Sequence, residues 1–95
     1  MTTYQLTNKQ SELIKKELTV KAYRKNTLHF KIVLTPKWYA LQVTLNNGYE
    51  LCLVWPLESF RDLLHYLTNL HGLQFNPTNL KKIETYFNEV FKGMN

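Results

Sequence analysis

Apolar and polar residues alternate with a period of two over three successive stretches in the middle of the chain. Leu28, Phe30, Ile32 and Leu34 alternate with His29, Lys31 and Val33; Tyr39, Leu41, Val43 and Leu45 with Ala40, Gln42 and Thr44; Tyr49, Leu51, Leu53 and Trp55 with Glu50, Cys52 and Val54. Successive side chains of a strand point to opposite faces, so this pattern predicts three strands with one face buried. Short connections between them predict an antiparallel meander.

Matching the apolar faces sets the register. A two-residue Asn47-Gly48 turn would place Leu45 opposite Glu50 and put the apolar sets on opposite faces. A three-residue loop, Asn46-Asn47-Gly48, places Leu45 opposite Tyr49, Val43 opposite Leu51 and Leu41 opposite Leu53. That loop needs a left-handed third residue, and Gly48 stands there. The same matching gives a four-residue turn Thr35-Pro36-Lys37-Trp38, with Leu34 opposite Tyr39 and Pro36 supplying the fixed φ of its second position.

Helical signals flank the meander. Thr7 with Gln10 reads as a capping box opening a first helix, whose apolar stripe is Leu13, Ile14 and Leu18. Glu12 with Lys16 is a favourable i,i+4 pair; Glu17 with Lys21 runs past the helix end. Thr19 to Arg24 is the candidate for a further edge strand. Ser59 with Asp62 opens a second helix with Phe60, Leu63, Leu64, Leu67 and Leu70 on one side, ended by Gly72. Asn76 caps a third, with Pro77 in its first turn and Leu80, Ile83, Phe87, Val90 and Phe91 as its stripe, stopped by Gly93. The expected fold is α+β: an N-terminal helix, a three- or four-stranded antiparallel meander and two C-terminal helices packed on one sheet face. Ninety-five residues are read as a single domain, 1–95.

Charge is unevenly placed. Residues 1–37 carry eight lysine and arginine side chains against Glu12 and Glu17, a net +6, while the remainder carries four against five, a net −1, for +5 overall. The asymmetry points to an anionic partner, either an acidic protein surface or nucleic acid. The candidate residues for it are Lys9, Lys15, Lys16, Lys21, Arg24, Lys25 and Lys31, with Tyr4 and Tyr23 interleaved. Most are lysines, which favours loose phosphate contact over reading of base edges. The same lysines have a second role open to them, since charged residues keep a sheet edge from pairing with another chain.

On the face away from the apolar set, the register predicts three cross-strand rows. His29, Thr44 and Glu50 form the first, with residue types that suit acid–base chemistry; yet its ends are two strands apart, about 10 Å. Lys31, Gln42 and Cys52 form the second. Val33, Ala40 and Val54 form the third, with Trp38 and Pro56 at its end. This third row is an apolar patch, covered either by Leu13, Ile14 and Leu18 of the first helix or by a protein partner, a second copy of the chain included.

Other chemistry is sparse. Cys52, the lone cysteine, forms no internal disulfide. His65 and His71 are six apart and share no helix face, so no metal is expected, and neither is a cofactor. The polar N-terminus and the absence of any apolar stretch near 18 residues lead to an expectation of a cytoplasmic chain with no membrane contact. The order helix, three strands, helix is similar to that of the double-stranded RNA-binding domain. That domain's Gly-Pro-x-His loop is absent, and Ser59-Phe60-Arg61-Asp62 holds no lysine cluster. An RNA-recognition sheet would need exposed aromatics on its central strands, whereas Tyr39, Tyr49 and Trp55 fall on the apolar face. No family is assigned. The reading is a small non-enzymatic binding protein acting through its basic first third: a protein-binding adaptor or inhibitor, as small phage and mobile-element chains often are, or a nucleic-acid-binding module of low sequence specificity.

Overall fold

The computed structural model describes residues 6–70 and 72–94, with the side chain of Leu70 left aside. The chain runs α1 (Asn8–Leu13), β1 (Leu18–Lys21), β2 (Thr27–Leu34), β3 (Tyr39–Leu45), β4 (Glu50–Val54), α2 (Phe60–His65), a π-helical turn (Tyr66–Leu70) and α3 (Pro77–Met94). The strands form one antiparallel sheet in the order β1-β2-β3-β4, so the α+β reading holds with four strands. Thr19 to Arg24 resolves into β1 at Leu18–Lys21, paired to β2 with Thr19 opposite His29. Arg24 and Lys25 then turn the chain at φ 64° and 62°.

The alternation fixes the register as expected. Leu34 pairs with Tyr39, and Leu41 and Val43 pair with Leu53 and Leu51. Gly48 sits at φ 92° and donates its N–H to the Leu45 carbonyl. Face by face, Leu28, Phe30, Leu41 and Val43 are fully buried against Leu63, Leu67, Ile83 and Val90 of the helical layer. The apolar face ends short of the corners, however. Leu34 is 42% exposed and Tyr49 54% exposed, one at the β2–β3 turn and the other at the β3–β4 turn.

Local signals set the helix starts. Thr7 accepts from the Gln10 N–H and its own N–H donates to the Gln10 side chain, a complete capping box. Ser59 accepts from the Asp62 N–H and Asn76 from the Asn79 N–H. α1 stops at Leu13, so Glu12 and Lys16 never face each other on one helix; Lys16 pairs with Glu89 of α3 instead. The second helix leaves α geometry after His65, and Gly72 at φ 65° ends the π-helical turn.

Gly93 does not stop α3, which continues to Met94. Its missing Cβ serves packing. A Cβ placed there would lie 2.0 Å from Leu13 Cδ1, and the Gly93 carbonyl accepts from Gln10 Nε2 at 3.0 Å. α1 therefore lies against the end of α3 and reaches the core through Leu13, with Ile14 and Leu18 packed beside it. Gly93→Val is expected to push α1 off α3 and cost about 1–3 kcal/mol. A lower urea midpoint with lost amide-exchange protection over residues 8–13 checks this; unchanged protection would contradict it.

Candidate functional site

The face of the sheet away from the helices is bare among the described residues. α1 packs on α3 rather than over this face, so the expected cover by Leu13, Ile14 and Leu18 does not form. Trp38 and Val54 are left 42% and 49% exposed, Pro56 is exposed and Val33 half-buried. Ala40 differs: it lies between Val33 and Val54 in the ladder and has no exposed surface. A partner on this row would meet its neighbours, with Ala40 underneath. Lys31 stands on the same face next to Val33, and Lys37 adjoins Trp38 in the turn, whereas Lys21, opposite Thr27, lies six residues along β2 from Val33. The patch is apolar with lysines around it.

The seven basic candidates do not converge. Lys9 lies on α1, beside Gln10 and its anchor Gly93 at the end of α3. Lys21 is held at the other end, where its carbonyl accepts from Asn79 Nδ2 at 2.8 Å. Residues 79 and 93 are separated by about 20 Å along the helix at 1.5 Å per residue. Lys15 and Lys16 follow α1, and Lys16 is taken up by Glu89. Lys21, Arg24 and Lys25 form a second group around the β1–β2 turn with Tyr23, which is 53% exposed. Tyr4 and His71 fall outside the described residues.

The polar row holds a hydrogen-bonded chain that sequence spacing missed. His29 stands opposite Thr44, and Thr44 opposite Glu50, but its ring turns the other way. His29 Nδ1 meets Thr19 Oγ1 at 2.8 Å and Nε2 meets Glu17 Oε1 at 2.6 Å. Carboxylate, imidazole and hydroxyl are the parts of an activated nucleophile. The Glu17 and His29 side chains are 54% and 40% exposed, so water competes at each bond, and none of the hollows described below includes Thr19 or His29. Catalysis would also need donors aimed at a developing oxyanion in a water-excluded site. The trio acts as a brace between the start of β1 and β2. Registering Thr19 against His29 was the signal that could have found it.

Two of the surface hollows among the described residues adjoin β1 and β4. One, of about 420 Å³, lies between β1 and α3, with Lys16, Lys81 and Lys82 against Glu17 and Glu89, and with Tyr86. The other, of about 160 Å³, lies beside β4 and is lined by Leu53, Leu57, Leu63, Phe87, Glu58 and Asp62 among others. Cys52 is free and exposed on β4. Among the described residues no three His, Cys, Asp or Glu side chains gather as a metal site, and no helix is long and apolar enough to cross a membrane. The chain matches no family model, no curated protein and no solved structure at a significant level.

Tyr86, in the first hollow, is 6% exposed and its hydroxyl donates to the Lys16 carbonyl at 3.0 Å. Burial first, then the charges of Glu17 and Glu89, push its pKa above the usual tyrosine value. The fold therefore favours the neutral phenol. That preference is fully present below about pH 10 and is lost as pH rises beyond it, by about 1.4 kcal/mol per pH unit for one group. Urea midpoints across the alkaline range should fall more steeply for the native chain than for Tyr86→Phe. Parallel profiles would contradict this.

Proposed function

We propose that this chain is a small non-enzymatic binding protein whose partner is another protein, gripped on the outer sheet face. The observation that carries this reading is the uncovered row with exposed Trp38 and Val54. Large apolar side chains grouped on an otherwise polar face mark interaction surfaces more often than chance exposure does. Tryptophan is among the residues that dominate interface energetics. Lys31 and Lys37 beside the row suit a partner with an acidic rim, which raises its rate of encounter. An adaptor or inhibitor role fits such a chain: it needs a presented surface and no reaction centre.

The test is co-purification from a host lysate with three proteins. Native chain should retain one stoichiometric partner. Trp38→Ala with Val54→Glu should weaken retention by about tenfold or more while keeping the native circular dichroism spectrum. Lys21→Glu with Arg24→Glu and Lys25→Glu should retain the partner. The reverse pattern would transfer the interface to the β1–β2 turn.

That turn supports a second reading. Lys21, Arg24, Lys25 and exposed Tyr23 form a compact basic group with an aromatic, suited to single-stranded nucleic acid. Three phosphate contacts predict a slope of log K against log salt of about −2 to −3. A slope near zero, or no binding at low salt, removes this reading.

A further inference from the structure

The two edges of the sheet are finished differently. At β1, α3 closes the edge: Tyr86 Oη donates to the Lys16 carbonyl and Asn79 Nδ2 to the Lys21 carbonyl. Just beyond, the Tyr23 N–H donates to the Gln74 carbonyl. At β4 nothing comparable is present among the described residues. The Trp55 N–H donates to the Tyr39 carbonyl, so by the two-residue period Leu51 and Leu53 bond to β3. Glu50, Cys52 and Val54 then direct their N–H and C=O groups outward. β4 holds no lysine, no proline and no bulge, the usual guards of an edge. Its inward side chains, Leu51 and Leu53, are only half-buried.

Beside this edge lies the 160 Å³ hollow, with an apolar floor of Leu53, Leu57, Leu63 and Phe87. Both charged side chains that line it, Glu58 and Asp62, are acidic. Glu50 adds a third carboxylate on β4 itself, at its first position. This acidic strip stands out on a chain of net charge +5.

We infer that β4 accepts an extended peptide segment of a partner protein, added as a fifth strand, with one apolar side chain in the hollow and lysine or arginine beside it. Strand addition draws affinity from backbone hydrogen bonds and specificity from pockets for alternate side chains. The open groups of Glu50, Cys52 and Val54 supply the first, and the hollow supplies the second. The carboxylates choose the charge. They also disfavour a second copy: pairing two β4 strands about Cys52 would bring two acidic strips together. This surface adds to the outer face and deepens the protein-binding reading by giving the chemistry of a partner segment.

The test is selection from a yeast-displayed library of random nonapeptides, followed by titration of the enriched peptides. The expected pool contains an apolar residue flanked by lysine or arginine and lacks proline. Cys52→Pro removes one outward N–H without touching the β3 ladder. Glu50→Lys with Glu58→Lys reverses two exposed charges and guards against failure of the proline variant to fold. Each should weaken binding by about tenfold or more, while Lys81→Ala, on the exposed side of α3, leaves it unchanged. Loss in Trp38→Ala alone would return the peptide to the outer face and overturn the edge assignment. No enriched peptide, an acidic consensus, or full binding by a folded Cys52→Pro protein would overturn it too. So would concentration-dependent dimers cross-linked through Cys52, which would give the edge to a second copy. Failure here with the lysate result intact would leave the outer-face reading standing.

Discussion

Phe30→Ala is expected to bring the chain to the edge of unfolding at room temperature. Phe30 has no exposed surface, stands opposite Val43 in the sheet and Leu18 in β1, and meets the Tyr86 ring at a centroid distance of 6.0 Å. It therefore joins three elements, β1, β3 and α3, at one point. Truncating a buried phenylalanine costs about 3–5 kcal/mol, from lost transfer energy and the cavity left behind. A domain of this length has about 5–14 kcal/mol in total. Urea unfolding followed by far-UV circular dichroism reads the difference. A loss below about 1 kcal/mol would mean that α3 does not pack on β2 as described.

Leu67→Ala is the second large effect, at about 2–5 kcal/mol. Leu67 has no exposed surface and lies at the start of the π-helical turn. Its carbonyl accepts the Leu73 N–H at 3.0 Å, across Gly72, and Leu73 is itself 2% exposed. The side chain and the carbonyl of one residue thus hold both the second helix and the loop that returns to α3. Trp38 and Trp55 report on the sheet by fluorescence, while circular dichroism reports mostly on the helices. The two transitions should move together to lower urea. Separation of the two would show α2 opening as its own unit.

The sheet was legible because its information is local and redundant. Three alternating stretches, one proline turn and Gly48 leave a single register that keeps Leu28, Phe30, Ile32, Leu41, Val43, Leu51 and Leu53 on one face. The caps at Thr7, Ser59 and Asn76 were legible for the same reason, since each is decided within four residues. What depended on distant partners was not. Gly93 reads as a stop in isolation; Leu13, eighty residues earlier, turns it into a contact. Glu12 and Lys16 read as a helix pair, but α1 ends first and Glu89 takes Lys16. At the candidate site, the outer row was legible from parity alone, whereas its exposure depended on where α1 docks. The clustering of the basic residues was not legible either, because spacing along a chain says nothing about the two ends of α3.

The anchors of the N-terminal segment have a consequence for the order in which the protein takes shape. Gln10, Lys16 and Lys21 are tied to Gly93, Glu89, Tyr86 and Asn79, at sequence separations of 83, 73, 70 and 58 residues. Strands β2 to β4 pair with immediate neighbours and can zip as soon as they leave the ribosome. α1 and the outer side of β1 must wait for α3, whose contacts close the longest loops in the fold. During that interval the β1 edge is open to other nascent chains. Lys15, Lys16 and Lys21 then help to shield it, so their charge serves the newborn chain before it serves any partner.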